Sequence, residues 1–129
     1  MKFGVFSAFL LLSTLAGCAS NSDQKHLELL ASNRASVLSS ELPLEAGPLS
    51  IMRANAKGTS IEIMMIYNQD QAGAKPIAQV MQQGVRYYCT NKDTTQNLEA
   101  GLSYRIKMRN TRGQLMYDEF ITKDTCEQN

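Results

Sequence analysis

Two hydrophobic periodicities organise the chain. Over residues 25–42 apolar side chains fall at Leu27, Leu30, Ala31, Val37, Leu38 and Leu42, near the 3.6-residue repeat of a helix. Ser22 or Asp23 is available as its N-cap and Pro43 as its stop. A second helical pattern follows Pro76, a residue that the first turn of a helix tolerates. It runs through Ile77, Val80, Met81 and Tyr87 or Tyr88 to about Cys89. Gly84 weakens its last turns by ~1 kcal/mol relative to alanine.

Between and after these helices the period shortens to two. Residues 49–56 and 59–67 flank Lys57-Gly58 and read as a hairpin, since Gly58 supplies a positive φ that other residues resist. Residues 94–99 read as a short strand. Residues 102–109 are the clearest strand, with Leu102, Tyr104, Ile106 and Met108 alternating with Ser103, Arg105, Lys107 and Arg109. The turn Asn110-Thr111-Arg112-Gly113 leads into a partner strand over 114–122. The order is helix, two strands, helix, three strands. It predicts an α+β domain: an antiparallel sheet of about five strands with helices packed on one face.

The strand over 59–67 departs from simple alternation. Ile61, Ile63, Met65 and Tyr67 point one way, while Met64 and Ile66 make the opposite face apolar as well. Met52, Met116 and Phe120 are candidates to share that second face, which would then receive an apolar helix on an adaptable, methionine-rich surface. The plainer alternative is that loops or short helices cover it and the methionines fill core gaps. The basic stripe Arg105, Lys107, Arg109 and Arg112 likewise has two readings, a solvated strand face or a surface that steers an acidic partner or lipid headgroups.

The first 17 residues do not fit this domain. Lys2 is followed by a short apolar run through Leu12 and by small residues up to Gly17, the layout of a signal peptide. The run is shorter than the ~20 residues that span a bilayer. Leu15-Ala16-Gly17-Cys18 matches a bacterial lipobox, in which the cysteine is acylated and becomes the first mature residue. Residues 1–17 are thus expected to be removed. Residues 18–24 would form an acylated cysteine and tether, and residues 25–129 a single domain. An anchored protein results, not a spanning one. Ala19-Ser20 after the cysteine, in place of an aspartate, favours the periplasmic face of the outer membrane.

Charge narrows the partners. Thirteen Lys and Arg against twelve Asp and Glu become twelve against twelve once Lys2 leaves with the leader, so no global charge exists to hold nucleic acid. With 19% charged and 43% hydrophobic residues, the chain has the composition of a folded domain.

If Cys18 carries lipid, Cys89 and Cys126 remain as a pair in an oxidising compartment. Their bond would close a loop of 38 residues, counting both cysteines. A zinc site lacks ligands, because His26 is the single histidine, and a catalytic thiol lacks a nearby base. His26 itself, beside the tether, reads as a solvated or capping residue. No nucleophile elbow, glycine-rich phosphate loop or clustered carboxylate pair is present, so neither an enzyme nor a bound cofactor or metal is expected.

Several segments taken in order carry a family resemblance. They are Leu15-Ala16-Gly17-Cys18-Ala19-Ser20, Leu29-Leu30-Ala31, Leu42-Pro43, Tyr88-Cys89, Glu99-Ala100-Gly101-Leu102-Ser103-Tyr104, and Asn110-Thr111-Arg112-Gly113 through to Thr125-Cys126. In order and spacing they resemble the type II secretion pilotins of the AspS or GspS-beta family. The resemblance implies an outer-membrane lipoprotein that binds the C-terminal segment of the secretin and escorts it to the outer membrane for pore assembly. The lipoprotein sorting machinery would be a further partner. It implies an α+β fold with a five-stranded sheet, but does not transfer groove residues one by one. The site expectation therefore rests on the two-faced strand: Met52, Met64, Ile66, Met116 and Phe120. A lipoprotein inhibitor of lysozyme, or another envelope-assembly lipoprotein, is the alternative.

Overall fold

The computed structural model describes residues 18–128, so the signal-peptide expectation for residues 1–17 lies outside the described residues. The chain runs α1 (Cys18–Ser39), β1 (Leu44–Ala46), β2 (Leu49–Lys57), β3 (Ser60–Tyr67), α2 (Ile77–Thr90), α3 (Lys92–Ala100), β4 (Ser103–Arg109), β5 (Leu115–Ile121) and α4 (Lys123–Glu127). The five strands form one sheet in chain order.

Helix α1 packs across β2 and β3. It can lie close because Ala31 and Ala35, one turn apart, face the sheet with almost no exposed surface. At its C-terminal end the Ser39 hydroxyl donates to the Ala54 carbonyl at 2.6 Å, fastening the helix to β2. The helix also extends back to Cys18, so residues 18–24, expected as a tether, form its first turns.

The clean alternation of β3 and β4 survives in three dimensions. Ile61, Ile63, Met65, Tyr67, Tyr104, Ile106 and Met108 turn inward. They meet Ala31, Ala35, Met81, Tyr88 and Leu98 from α1, α2 and α3 in one core. In β2 the alternation breaks. A bulge at Met52 lets both Ile51 and Ala54 face inward, opposite Met65 and Ile63, and leaves Met52 as the extra, exposed residue. Of the six methionines among the described residues, Met65, Met81 and Met108 are core residues and Met52, Met64 and Met116 are not.

Two expectations are corrected. The sheet is mixed: β1–β2, β2–β3 and β4–β5 are antiparallel, but β3 and β4 run parallel. Both α2 and α3 lie between β3 and β4, and that long crossover returns the chain to the end where β3 began. Residues 94–99 are not a strand but the body of α3. Asn91 caps that helix by accepting from the amides of Asp93 and Thr94, and Gly101 ends it at φ 109°. The β-branched pair Thr94 and Thr95 serves the helix through its hydroxyls. Thr94 donates to the Tyr88 carbonyl at 2.8 Å and Thr95 to the Asn91 carbonyl at 2.8 Å, so both hydroxyls are absorbed by the helix junction. The fifth strand is instead the short β1.

The short α4 opens on a capping box between Thr122 and Thr125. This turn brings Cys126 to Cys89, and the disulfide forms with the Cα atoms 5.3 Å apart.

Candidate partner-binding groove

The molecule offers two surfaces, one on each side of the sheet. On the open side, Met64 and Ile66 are half-buried, as the two-faced pattern required. Register places them opposite Lys107 and Arg109 on β4. Several charges around them are paired, although Arg53, opposite Met64 on β2, is exposed and outside both ion pairs of the described residues. Arg105 makes two hydrogen bonds to Asp118, at 2.8 and 2.7 Å, and stacks 5.0 Å above the ring of Phe120. Lys107 pairs with Glu62 at 3.4 Å, and Arg109 donates to the Gly113 carbonyl at 2.8 Å. Met52 lies on the β2 bulge and Met116 on edge strand β5, at opposite sides of the sheet. The five sequence-predicted residues thus lie on β2, β3 and β5, with Arg105, Lys107 and Arg109 of β4 between the last two strands.

The paired guanidinium holds the Asp118 carboxyl below the usual carboxylate range, chiefly through its hydrogen bonds. Because the folded value is depressed, the pair's contribution is present at neutral pH and is lost as pH falls through that lowered value. An NMR titration is expected to give Asp118 a midpoint below that of an unpaired aspartate, and Arg105→Gln should return it to the ordinary value.

On the helical side the layer is not continuous. Helix α1 covers β2 and β3, while α2, α3 and α4 pack on one another. Between α1 and the α2–α3 corner runs a cleft of about 530 Å³, lined by Arg34, Val37 and Leu38 from α1 and by Tyr87, Tyr88 and Asn97 from the corner. Its floor is sheet: Ile51, Ile61, Ile63 and Tyr104. Val37 is 58% exposed and Tyr87 55% exposed on opposite walls. Large apolar side chains in that state are spare binding surface at the mouth of a concave site. Leu44 of β1 is also exposed there.

The aromatic wall is rigid. Tyr87 meets Tyr88 edge-on at 5.6 Å, and Tyr88 packs on Tyr104 at 4.8 Å. Burial pushes both the Tyr88 and Tyr104 phenols up, so each stays protonated across the physiological range. The next residue, Cys89, is in the disulfide, which ties this end of α2 to α4. A broader depression of about 820 Å³ flanks that bond but contains no aromatic side chain.

The pattern over residues 25–42 counts Val37 among the apolar positions of a helix. Its exposure beside a tyrosine pair was not legible, because it depends on where α2 and α3 stop. Among the described residues no group of three or more His, Cys, Asp or Glu is placed to hold a metal ion, and no helix is long and apolar enough to cross a membrane.

The α+β module thus carries a preformed cleft of mixed polar and apolar lining. Comparison with known proteins gives the class. The family model described as type II secretion system (T2SS) pilotin, S protein, matches residues 23–126. The chain is similar to the solved type II secretion system pilotin AspS from Vibrio cholerae, at 59% identity and a TM-score of 0.78, covering 84% of this chain and 99% of that one. It is also similar to the pilotin EpsS from the Vibrio vulnificus type 2 secretion system, at 48% identity and a TM-score of 0.78, covering 82% and 96%. Pilotin AspS 2 of Escherichia coli O78:H11 is 26% identical over 120 residues, covering 91% of this chain and 87% of that protein. The chain therefore belongs to the type II secretion pilotin family.

Proposed function

We propose that this chain is a lipid-anchored, non-enzymatic pilotin that binds the C-terminal segment of its secretin and carries it to the outer membrane for pore assembly. The anchor is Cys18 of the lipobox, and the binding site is the cleft between α1 and the α2–α3 corner. That cleft carries the reading: it is concave, with an exposed apolar side chain on each wall and sheet isoleucines on its floor. The open sheet face carries the Arg105–Asp118 and Lys107–Glu62 pairs instead. An amphipathic helix laid in the cleft would cover Val37, Leu44 and Tyr87 with its apolar stripe. A tail that is disordered when free would fold as it binds.

Helix α1 links address to cargo. At 1.5 Å per residue, Arg34 on the cleft rim stands about 24 Å along the helix from Cys18. The cargo site would thus be held away from the bilayer by a helical spacer instead of a slack tether.

The test is a calorimetric titration of the mature lipoprotein, in detergent, with a peptide from the C-terminal segment of the same organism's secretin. Saturable one-to-one binding with a gain in helicity is expected. Val37→Asp should weaken it by about tenfold or more, since it places a charge where apolar surface is to be buried. Met64→Asp on the open face should leave it unchanged. The reverse pattern would move the site to the Met64 and Ile66 face, and absence of binding would overturn the function.

A further inference from the structure

Among the described residues the sheet ends at β5 with no strand beyond it. We propose that this edge is a docking site independent of the cleft, where an extended segment of another protein pairs with β5 as a sixth strand. Hydrogen-bond direction shows which groups are free for it. The Ser103 amide donates to the Thr59 carbonyl, so Ser103 turns its backbone groups toward β3. By alternation Tyr104, Ile106 and Met108 turn theirs toward β5, where Ile121, Glu119 and Tyr117 face them in register. The N–H and C=O groups of Asp118 and Phe120 therefore point out of the sheet. No hydrogen bond among the described residues uses them.

Both sides of the edge have room for the side chains of an added strand. On the open face Phe120 is 51% exposed, and the Asp118 carboxylate is drawn back along the sheet to Arg105. On the helical side Glu119, opposite the buried Ile106, is itself exposed. It is the one sheet residue lining the depression of about 820 Å³, whose other walls include Met81 and Val85 of α2 and the Cys89–Cys126 bond. Because that lining takes nothing from β1 to β4, the depression lies at the β5 edge. Alternate side chains of a strand added there would project into it. Strand addition draws affinity from main-chain bonds and specificity from pockets for every second side chain, and this edge offers both.

The occupant is not a second copy of this chain. Two-fold antiparallel pairing of β5 with itself sets one residue opposite its own copy. Centred on Asp118 or Glu119, it places like carboxylates face to face. Centred on Phe120, it runs into Thr122, the cap of α4, and centred on Tyr117 it runs into the register shift at Met116. The edge is thus guarded against its own sequence, as exposed strands in natural proteins are, while residues 117–121 stay open to a strand of different sequence.

The probe is a short capped peptide of alternating valine and threonine, added to the isotope-labelled mature lipoprotein in detergent and followed by NMR. Two N-methylated forms are compared, one methylated at odd and one at even positions, so that one blocks the amides facing β5 and the other blocks those facing away. Shifts are expected across residues 117–121, with hydrogen exchange at the Asp118 and Phe120 amides slowed about tenfold and the Val37 and Tyr87 amides of the cleft unmoved. One methylated form should lose binding and the other keep it. Equal binding of both would mean side-chain contact without strand pairing and would overturn the proposal. Shifts centred on the cleft, or no shift at millimolar peptide, would overturn it as well. Sedimentation of the protein alone should give a monomer; a dimer with the Asp118 and Phe120 amides already protected would assign the edge to a second copy instead.

Discussion

Cys18→Ser is expected to abolish membrane anchoring, shown by loss of labelled palmitate from the protein, and to cut assembled secretin in the outer-membrane fraction by about an order of magnitude. The reason is additive. Each buried methylene of an acyl chain contributes about 0.8 kcal/mol, one chain alone binds only marginally, and several together anchor stably. On the proposed acylation of Cys18, removing its thiol removes the whole of that energy. Among the described residues no helix offers an alternative membrane span. The proposed cleft draws its lining from Arg34 onward, so the variant should bind the secretin peptide as well as the unaltered protein. Full secretin assembly with the serine variant would show that the anchor is not the address.

The second large effect is on stability. Replacing Cys89 and Cys126 together with serine should lower the free energy of unfolding by roughly 4 kcal/mol, the chain-entropy value for a loop of this length. A domain of this size has about 5–15 kcal/mol in total, so the loss approaches the whole of a marginal fold. Local structure adds to the effect. The five-residue α4 is too short to persist alone and is held by its capping box and by this bond. Cys89 also follows Tyr87 and Tyr88, so freeing it loosens one wall of the cleft and should weaken peptide binding. Chemical denaturation of the oxidised protein and the double serine variant is the check. A difference below about 1 kcal/mol would mean that packing, not the cross-link, holds α4.

Gly101 shows how much depended on one local signal. It ends α3 in the left-handed region, and a Cβ there would meet the Leu27 side chain of α1 at 3.2 Å. The paired signals Asn91 and Gly101 frame a helix in the sequence itself, yet Thr94 and Thr95 between them favour a strand. The hydroxyls decide in favour of the helix by bonding to carbonyls at its first turn, a role that β propensity does not weigh. The β2 bulge is a similar case. Period-two reading alone would carry Arg53 inward after Ile51, whereas the extra residue at Met52 shifts the inward set to Ala54 and Ala56.

The candidate site divides along the same line. Met64 and Ile66 were correctly placed opposite the core, since alternation along a strand fixes side-chain direction. Whether that face is free for a partner is another matter. It depends on Arg105 reaching Asp118 and Phe120, and on Lys107 reaching Glu62, which lie on three different strands.

The sequence by itself determined the elements with strong periodicity: α1, the β2–β3 hairpin, α2, and the β4–β5 pair. It also determined the cysteine pair and the family likeness, because these reside in local spacing and in residue order. Only the tertiary structure decided that β3 and β4 are parallel, that α1 begins at Cys18, and that a cleft remains beside it. Those features arise where separate elements stop relative to one another. Hydrophobic pattern tells each element which side to bury, but not how completely its neighbours will cover it.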